Sequence, residues 1–161
     1  MQLSDNGYKI IKNFEGLRLT AYRDIAGVWT IGYGSTRYHD DKPVKPGDKL
    51  ANEAQADALF HNTLGQYETA VNTLVRVSLS QNQFDALVSF TYNEGTGALK
   101  HSTLLAKLNA MDYQAAAAGF LAWDKITDPN TGEKIACDTL VQRRKEESKL
   151  FLSTALGPQT L

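Results

Sequence analysis

Apolar residues recur at helical spacing through most of this chain. Tyr8, Ile11 and Phe14 lie three residues apart after Ser4, a residue type that caps helix starts, and Gly16 is a natural helix end. No internal repeat is visible, and most of the chain is expected to be helical. Further helices are predicted from Asn52 to about residue 75, after the capping box Ser80-Gln81-Asn82-Gln83, after Ser102 or Thr103, after Asp112, and from about Thr139 to Phe151. The helix after Asp112 is expected to carry Ala116, Phe120 and Trp123.

The stretch from residue 17 to residue 38 is patterned differently. Apolar and polar residues alternate up to Ala21, a turn follows at Asp24–Gly27, and residues 28–33 are rich in β-branched and aromatic side chains. This pattern predicts a β-hairpin. Its two glycines, Gly32 and Gly34, either leave the returning strand bare beside a cleft or mark a bulge or tight turn.

These elements predict an α+β, mostly helical fold with two lobes. Residues 1–50 are expected to form a small β-rich lobe that includes the first helix. Residues 51–77 are expected to form a long connecting helix, and residues 78–161 a helical lobe. The chain has 161 residues, 42% of them hydrophobic and 22% charged, with a mean hydropathy of −0.35. It is therefore long enough to bury a core as one globular domain.

The net charge limits the possible partners. It is −1 at neutral pH, so no field of the whole molecule favours nucleic acid, and we expect no nucleic-acid partner. Attraction to another anionic polymer would have to come from a local basic patch, for which the run Arg143-Arg144-Lys145 is the candidate. Lys145 is better explained as part of a solvated helix face.

Cysteine and histidine usage argues against a metal or a cofactor. Cys137 is the single cysteine, which excludes an internal disulfide and leaves a packing residue or an idle thiol. His39, His61 and His101 are far apart and lack the spacing of a zinc-binding motif. The first seven residues show no signal peptide, and no apolar run approaches about 18 residues. We therefore expect folding in a cytoplasm and no stable membrane association.

Two carboxylates and a hydroxyl lie close together near the start of the chain. Glu15 is expected at a helix end, where the helix dipole does not stabilise a carboxylate, and Asp24 and Thr30 are expected on the hairpin that follows. Folding the hairpin back on the helix would bring together a proton donor, an ionised aspartate and a hydroxyl that holds water. Acid-catalysed cleavage of a glycosidic bond needs these groups. The alternatives are a surface acid, a turn former and an ordinary strand residue.

The frame around these residues resembles a known catalytic signature. The segment Glu15-Gly16-x4-Ala21-Tyr22-x-Asp24-x2-Gly27-x2-Thr30-Ile31-Gly32-x-Gly34 is similar to that of phage-type lysozymes, glycoside hydrolase family 24. The likeness continues in order over nearly the whole chain. Three later blocks carry it: the run from Ser80 to Phe90 with Tyr92-Asn93-x-Gly95; Ser102-Thr103-Leu104-Leu105-x2-Leu108-Asn109; and Arg143-Arg144-x-Glu146-x3-Leu150-Phe151.

The resemblance implies a lysozyme-like two-lobed fold and a muramidase activity. The bond cleaved would be the β-1,4 linkage between N-acetylmuramic acid and N-acetylglucosamine in peptidoglycan. Glu15 matches the general acid of the family, and Asp24 and Thr30 match the pair that holds and activates water. The family is regarded as inverting, which predicts carboxyl groups about 6.5–9.5 Å apart.

The resemblance also implies residues that bind the sugar chain. Tyr92 and Asn93 match positions that line the cleft, and Ser102 or Thr103 matches a nearby polar contact; from the pattern alone, Tyr92 is equally explained as core and Ser102 as a helix cap. Arg143 matches an arginine whose guanidinium meets the catalytic glutamate. Because a nearby cation favours an ionised carboxyl, we expect Arg143 to orient Glu15 in the free enzyme. Bound substrate is then expected to restore the proton by excluding water.

The leading hypothesis is an endolysin, a monomeric muramidase made in the host cytoplasm that lyses the bacterium at the end of phage infection. Without an export signal it would depend on a membrane pore, a holin, to reach the wall. One alternative is a non-catalytic wall-binding module that kept the fold. Another is a lytic transglycosylase, which needs one acid and no hydrolytic water. The presence of Asp24 and Thr30 argues against both.

Overall fold

A computed structural model describes residues 1–153 and contains seven helices and two β-hairpins in that range. No helix of this range combines the length and the apolar composition needed to cross a bilayer. The helices are α1 (Asp5–Glu15), α2 (Glu53–Leu74), α3 (Gln81–Glu94), α4 (Thr96–His101), α5 (Thr103–Asn109), α6 (Tyr113–Phe120) and α7 (Asp138–Leu152); the strands are β1 (Arg18–Arg23), β2 (Trp29–Gly32), β3 (Lys125–Thr127) and β4 (Lys134–Ala136).

Polar side chains explain where five of the helices begin, as the sequence predicts. In each case a side-chain oxygen outside the first turn accepts a backbone hydrogen bond that the helix itself cannot satisfy. Gly16 follows the last residue of the first helix and has a φ of +72°. Its backbone amide donates a hydrogen bond to the Lys12 carbonyl (2.9 Å), which closes the last turn. The capping pairs are Ser4 with Gly7, Asn52 with Gln55, Ser80 with Gln83, Ser102 with Leu105, and Asp112 with Ala115, at 3.0–3.1 Å.

The described chain divides into two compact units. One unit takes Tyr8–Tyr67; the other takes Met1–Gly7 together with the chain from Glu68 onward. Helices α1 and α2 each run from one unit into the other. The sequence suggested lobe boundaries at residues 50 and 77, and these boundaries stay a prediction.

The smaller unit, Tyr8–Tyr67, is built on the β1–β2 hairpin. Antiparallel pairing places Arg18 opposite Gly32, and Tyr22 opposite Thr30, with an irregularity between the two pairs. Backbone hydrogen bonds from residues 48–50 extend the sheet beside β1, as at Leu50 N to the Leu19 carbonyl (2.8 Å). The core beneath the hairpin is apolar: Ile31, Val44 and Leu59 are buried, and Ala21, Trp29, Tyr38 and Leu50 pack against them.

The two hairpin glycines serve backbone geometry. Gly32 (φ +70°) and Gly34 (φ +101°) lie in a region that L side chains rarely adopt, and Ile31 and Ser35 exchange two backbone hydrogen bonds across them. The tight turn is therefore the correct alternative at this point. A Cβ on Gly32 would lie 3.5 Å from Leu50, so the strand is packed against apolar side chains there and is not bare.

The larger unit has an all-helical core. Phe120 lies at its centre, with its ring edge-to-face with Phe90 (centroids 5.6 Å apart) and tilted against Phe151 (5.5 Å). All three rings are almost completely buried, and they hold α3, α6 and α7 together. Helix α5 contributes three buried leucines, Leu104, Leu105 and Leu108.

Three features of this unit depart from the predicted pattern. Helix α6 ends at Phe120, so Trp123 lies beyond it and not on it. The turn at Asp128–Gly132 connects β3 and β4, a hairpin that the sequence did not predict because both strands are three residues long and exposed, without a buried face to create alternation. Helix α4 was likewise not predicted; it is a short helix between Gly95 and Ser102.

Candidate active site

Glu15 is the final residue of α1, as the sequence predicts. It is half-buried, and its neighbour Phe14 is half-buried as well. Gly16 follows with a positive φ and turns the chain directly into β1. The carboxyl group is therefore carried by the rigid end of a helix, immediately before the hairpin that holds the other two predicted catalytic residues.

Asp24 organises the turn between the two strands. Its Oδ1 accepts hydrogen bonds from the backbone amides of Ala26 (2.9 Å) and Val28 (2.8 Å). The backbone closes the same turn through Gly27 N to the Asp24 carbonyl and Asp24 N to the Val28 carbonyl, both at 2.9 Å. These bonds fix the carboxylate through Oδ1. Within residues 1–153, Oδ2 has no hydrogen-bond partner, so it is available to a bound molecule.

Thr30 is buried in β2, with 3% of its surface exposed. Its hydroxyl donates to the Val28 carbonyl at 2.9 Å, which commits its one hydrogen. The oxygen keeps its acceptor capacity. A water molecule at this position would therefore have to donate to Thr30, and its own lone pairs would then point away from the hydroxyl.

Tyr22 is related to each of the three predicted catalytic residues, to two by charge and to the third by strand pairing. Burial raises the pKa of its phenol; the Arg18 guanidinium, 4.5 Å from the ring centroid, opposes that shift. The negative charges of Glu15 and Asp24 both raise the pKa further, so both carboxylates lie within electrostatic reach of one hydroxyl. Thr30 is the cross-strand partner of Tyr22, which puts the two side chains on the same face of the hairpin.

Four of the remaining predicted residues lie at two places in the larger unit. The first is the C-terminal end of α3, where Tyr92 is half-buried and Asn93 is exposed. The Asn93 side-chain oxygen accepts a hydrogen bond from Arg144 at 2.8 Å. Because Tyr92 is only half-buried, it is not the full core residue that the core explanation proposed. Asn93 is held in place by Arg144 of α7.

Ser102 and Thr103 lie at the second place, the start of α5. Ser102 is the helix cap that the alternative explanation proposed: its hydroxyl accepts from Leu105 N (3.0 Å) and donates to the Leu99 carbonyl (2.8 Å). Thr103 is exposed beside it. Both residues line an open cavity of about 590 Å³ that the sequence did not reveal; His101, Gly119, Ala122, Trp123, Lys125 and Lys134 complete its lining.

Trp123 gives this cavity an aromatic wall. Its ring packs edge-to-face on Phe90, 5.5 Å between centroids, and it is half-buried. Helical spacing in the sequence suggested an apolar helix position instead. The signal that could have identified it is the polar, turn-rich sequence that follows directly, which places this tryptophan at the end of the helical pattern.

The prediction of a basic surface patch at residues 143–145 is wrong for two of the three residues. Arg143 is 4% exposed and Arg144 is fully buried, because the Glu147 carboxylate one helical turn later pairs with both. Only Lys145 faces solvent, as its own explanation proposed. Arg143 donates to Glu147 from Nε (3.2 Å) and to the Ser89 carbonyl from Nη2 (3.1 Å). Its predicted pairing with Glu15 stays a prediction.

Within residues 1–153, no group of three or more His, Cys, Asp or Glu side chains is arranged to hold a metal ion. Cys137 is a free thiol at the start of α7 and makes no side-chain capping bond there.

Comparison with known proteins gives a consistent result. A family model described as phage lysozyme matches residues 12–147. The endolysin of Salmonella phage P22 is 44% identical over 154 residues, covering 95% of this chain and 99% of that protein. Two solved structures have the same fold. One is an endolysin from Escherichia coli O157:H7 phage FAHEc1 (TM-score 0.87, 42% identity, 94% of each chain). The other is the muramidase domain of SpmX from Asticaccaulis excentricus (TM-score 0.85, 36% identity, 95% of this chain and 99% of that chain).

Proposed function

The chain belongs to the phage lysozyme family, and on that premise we propose that it is a glycoside hydrolase of bacterial peptidoglycan. The bond cleaved is the β-1,4 linkage between N-acetylmuramic acid and N-acetylglucosamine, with inversion at the anomeric carbon. Its biological role is that of an endolysin, which opens the host wall at the end of phage infection.

The observation that carries this proposal is the relation of Tyr22 to the three predicted catalytic residues. Both Glu15 and Asp24 act electrostatically on its phenol, and Thr30 lies directly across the hairpin from it. An inverting glycosidase needs two carboxyl groups that face one bond from opposite sides, with room for a water between the second carboxyl and the sugar. We infer that Glu15 and Asp24 are this pair.

Glu15 acts as the general acid. It donates its proton to the glycosidic oxygen as the bond from that oxygen to the anomeric carbon breaks, so the leaving sugar departs as a neutral alcohol. Positive charge that develops at the anomeric carbon is taken up by the incoming water. The products are one new hydroxyl and one free reducing end.

Asp24 and Thr30 hold the attacking water. Because the Thr30 hydroxyl already donates to Val28, its oxygen accepts one water hydrogen, while Asp24 Oδ2 accepts the other and takes the proton during attack. The water then presents its lone pair to the anomeric carbon. The two amide bonds on Asp24 Oδ1 keep this carboxylate in place while Oδ2 changes protonation.

The larger unit supplies binding groups for the sugar chain. Tyr92 and Asn93 at the end of α3, and Ser102 and Thr103 beside the Trp123 cavity, are proposed to contact it. Arg143 is proposed to influence Glu15 before substrate binds. If so, the pH–rate profile of Arg143→Ala should differ from that of the parent. Identical profiles would refute the proposed influence of Arg143 on Glu15.

Glu15→Gln is the first test of the proposal. The variant keeps the size and polarity of the side chain but has no acidic proton to transfer, so clearing of bacterial wall suspensions should fall at least about 100-fold. Asp40→Asn, which neutralises an exposed acid in a loop of the same unit, is the matched control and should clear walls at the parent rate. Undiminished clearing by Glu15→Gln, with a parent-like circular dichroism spectrum, would refute the assignment.

Three further properties are proposed with the function. The protein acts as a monomer, resides in the host cytoplasm until lysis, and depends on a holin-type membrane pore to reach the wall. Sedimentation equilibrium measures the first. Expression in bacteria with and without a pore-forming partner measures the others: lysis only with the pore is expected, and prompt lysis without it contradicts the dependence.

A further inference from the structure

A cluster of charged and polar side chains is buried inside the larger unit. It consists of Arg143, Arg144 and Glu147 on α7 and Ser89 on α3, each no more than 4% exposed. The spacing along α7 explains the pairing, because Glu147 lies four residues after one arginine and three after the other, on the same face of the helix.

The Glu147 carboxylate is the centre of this cluster. Its Oε2 accepts hydrogen bonds from the Ser89 hydroxyl, from Arg143 Nε (3.2 Å) and from Arg144 Nη2 (3.2 Å). Its Oε1 forms an ion pair with Arg144 Nε at 2.7 Å. One carboxylate thus holds two guanidinium groups, and the serine hydroxyl fixes the carboxylate from the neighbouring helix.

The outer ends of the guanidinium groups reach residues of α3. Arg144 donates from Nη2 to the Asn93 side-chain oxygen and from Nη1 to Glu94, both at 2.8 Å. Arg143 donates to the Ser89 backbone carbonyl at 3.1 Å. Glu147 therefore holds Arg143 directly and Asn93 through Arg144, and these are two of the residues proposed to act in the substrate site.

The energetics favour a positional role over a stabilising one. Removing charges from water is costly, and a buried ion cluster is often no more stable than well-packed apolar side chains of the same volume. What the cluster does supply is fixed geometry: planar guanidinium groups with several committed donors have few alternative orientations.

We propose that Glu147 is a positioning residue for the reaction, which holds Arg143 and, through Arg144, Asn93 in the orientation that the bound glycan requires. This inference rests on the proposed function. Glu147 touches neither the sugar nor the reacting atoms, and its effect is transmitted entirely through these two side chains.

Glu147→Gln tests the proposal, with Glu146→Gln as the matched control. The first variant keeps the shape of the side chain but removes the charge that holds both guanidinium groups; the second removes an exposed charge one residue away. A displacement of about 1 Å in a substrate-contacting group can cost about 100-fold in rate, so a loss of that order in kcat/KM on soluble wall fragments is expected for Glu147→Gln. Glu146→Gln should match the parent.

Two measurements separate positioning from a general loss of structure. In an Arg143→Ala background, Glu147→Gln should lower kcat/KM by clearly less than in the parent, because the effect transmitted through Arg143 is already removed. Equal losses of kcat/KM in both backgrounds would overturn the proposal. The Nε–Hε NMR signals of Arg143 and Arg144 should be slow to exchange in the parent and in Glu146→Gln, and should lose that protection in Glu147→Gln. Unchanged signals would also overturn it.

A gentler variant covers the case in which Glu147→Gln does not fold. Ser89→Ala removes one donor from the carboxylate and leaves every charge in place, so a smaller loss, on the order of fivefold in kcat/KM, is expected. Parent activity in Ser89→Ala would then mean that the cluster is structural only. An inactive parent would refute the proposed function itself, whereas an active parent with an equally active Glu147→Gln refutes the positioning role alone.

Discussion

Replacing Asp24 by asparagine separates the two roles that its carboxylate combines. The side chain caps the hairpin turn through Oδ1, which accepts the amides of Ala26 and Val28 at 2.9 and 2.8 Å. It is also the proposed base that takes a proton from water through Oδ2. Asparagine keeps an oxygen acceptor for the turn and replaces the second oxygen with a donor, so it preserves the first role and abolishes the second.

The expected loss of stability is small for this variant. Bonds to a charged acceptor are roughly twice as strong as neutral ones, so about 1 kcal/mol or less of unfolding free energy should be lost in Asp24→Asn. Asp24→Ala loses both bonds. At about 1 kcal/mol each, and with water able to reach the exposed amides, its cost is about 1–2 kcal/mol.

The expected loss of activity is far larger. A positioned general base contributes about 10²–10⁴-fold to rate, equivalent to about 3–5 kcal/mol of transition-state stabilisation. Asp24→Asn should therefore lose activity by that factor while it unfolds at nearly the parent urea concentration. The assay is release of reducing ends from purified wall, beside urea unfolding followed by circular dichroism on the same preparation.

The refuting result is specific. If Asp24→Asn hydrolyses wall at more than half the parent rate while Asp24→Ala is destabilised, the carboxylate is a turn former and nothing more. That was the simple explanation of this residue from its sequence, and the base in the proposed reaction would then have to lie elsewhere.

Three other perturbations test the structure itself. Burial and the bond to Asp48 raise the pKa of Tyr38 to about 12, and the Lys45 amide, together with the Tyr38 hydroxyl, lowers the pKa of Asp48. Tyr38→Phe should therefore move the Asp48 titration upward by NMR; it should also abolish the stability that this tyrosine contributes below pH 10 and that the parent loses as pH rises towards 12. An unmoved Asp48 titration would contradict the pairing. Gly32→Ala should lower the free energy of unfolding by about 1–2 kcal/mol because the φ of this residue is +70°. Gly65→Ala, in the interior of α2 with open space for a Cβ, should raise it by up to about 1 kcal/mol. A change of the same sign for both variants in urea unfolding would refute the backbone argument. Phe120→Ala should cost about 3–5 kcal/mol in the same assay, since its ring is fully buried between two others, and a loss under 1 kcal/mol would show that this core can collapse.

Local chemistry made most of the helices predictable. Caps such as Ser80 and Asp112 act through hydrogen bonds to amides three residues away, so the information for a helix start is contained in the helix's own sequence. The positive φ of Gly16 is equally local. The predicted catalytic residues also lie within sixteen consecutive positions, Glu15 to Thr30, which is why a short hairpin can bring them together.

The burial of the two arginines could not be predicted from the local sequence. A run of basic residues on a helix is ordinarily solvated, and the Arg143-Arg144 pair is buried only because Ser89 and the end of α3 are brought to it by folding. The spacing to Glu147 was the available signal, since i,i+3 and i,i+4 carboxylate partners were both present in the sequence. The family likeness drew attention to Glu146 instead, which is exposed.

The cavity beside Trp123 was unpredictable for a related reason. It depends on where α6 ends and on the short β3–β4 hairpin, whose three-residue strands carry no alternation that a sequence pattern could reveal. The residues of its lining come from three separate stretches of the chain, 101–103, 119–125 and 134. Only Ser102 and Thr103 among them were identified beforehand, through the family likeness.

The chemistry of the cut ends tests the central claim most directly. The parent protein should be incubated with purified peptidoglycan, and the released fragments analysed by mass spectrometry and by proton NMR of the newly formed anomer. Hydrolysis with inversion predicts N-acetylmuramic acid at a free reducing end, formed first as the α anomer. Fragments that end in a 1,6-anhydro ring would show a transglycosylase, and intact wall would show a binding module; either result would contradict the account.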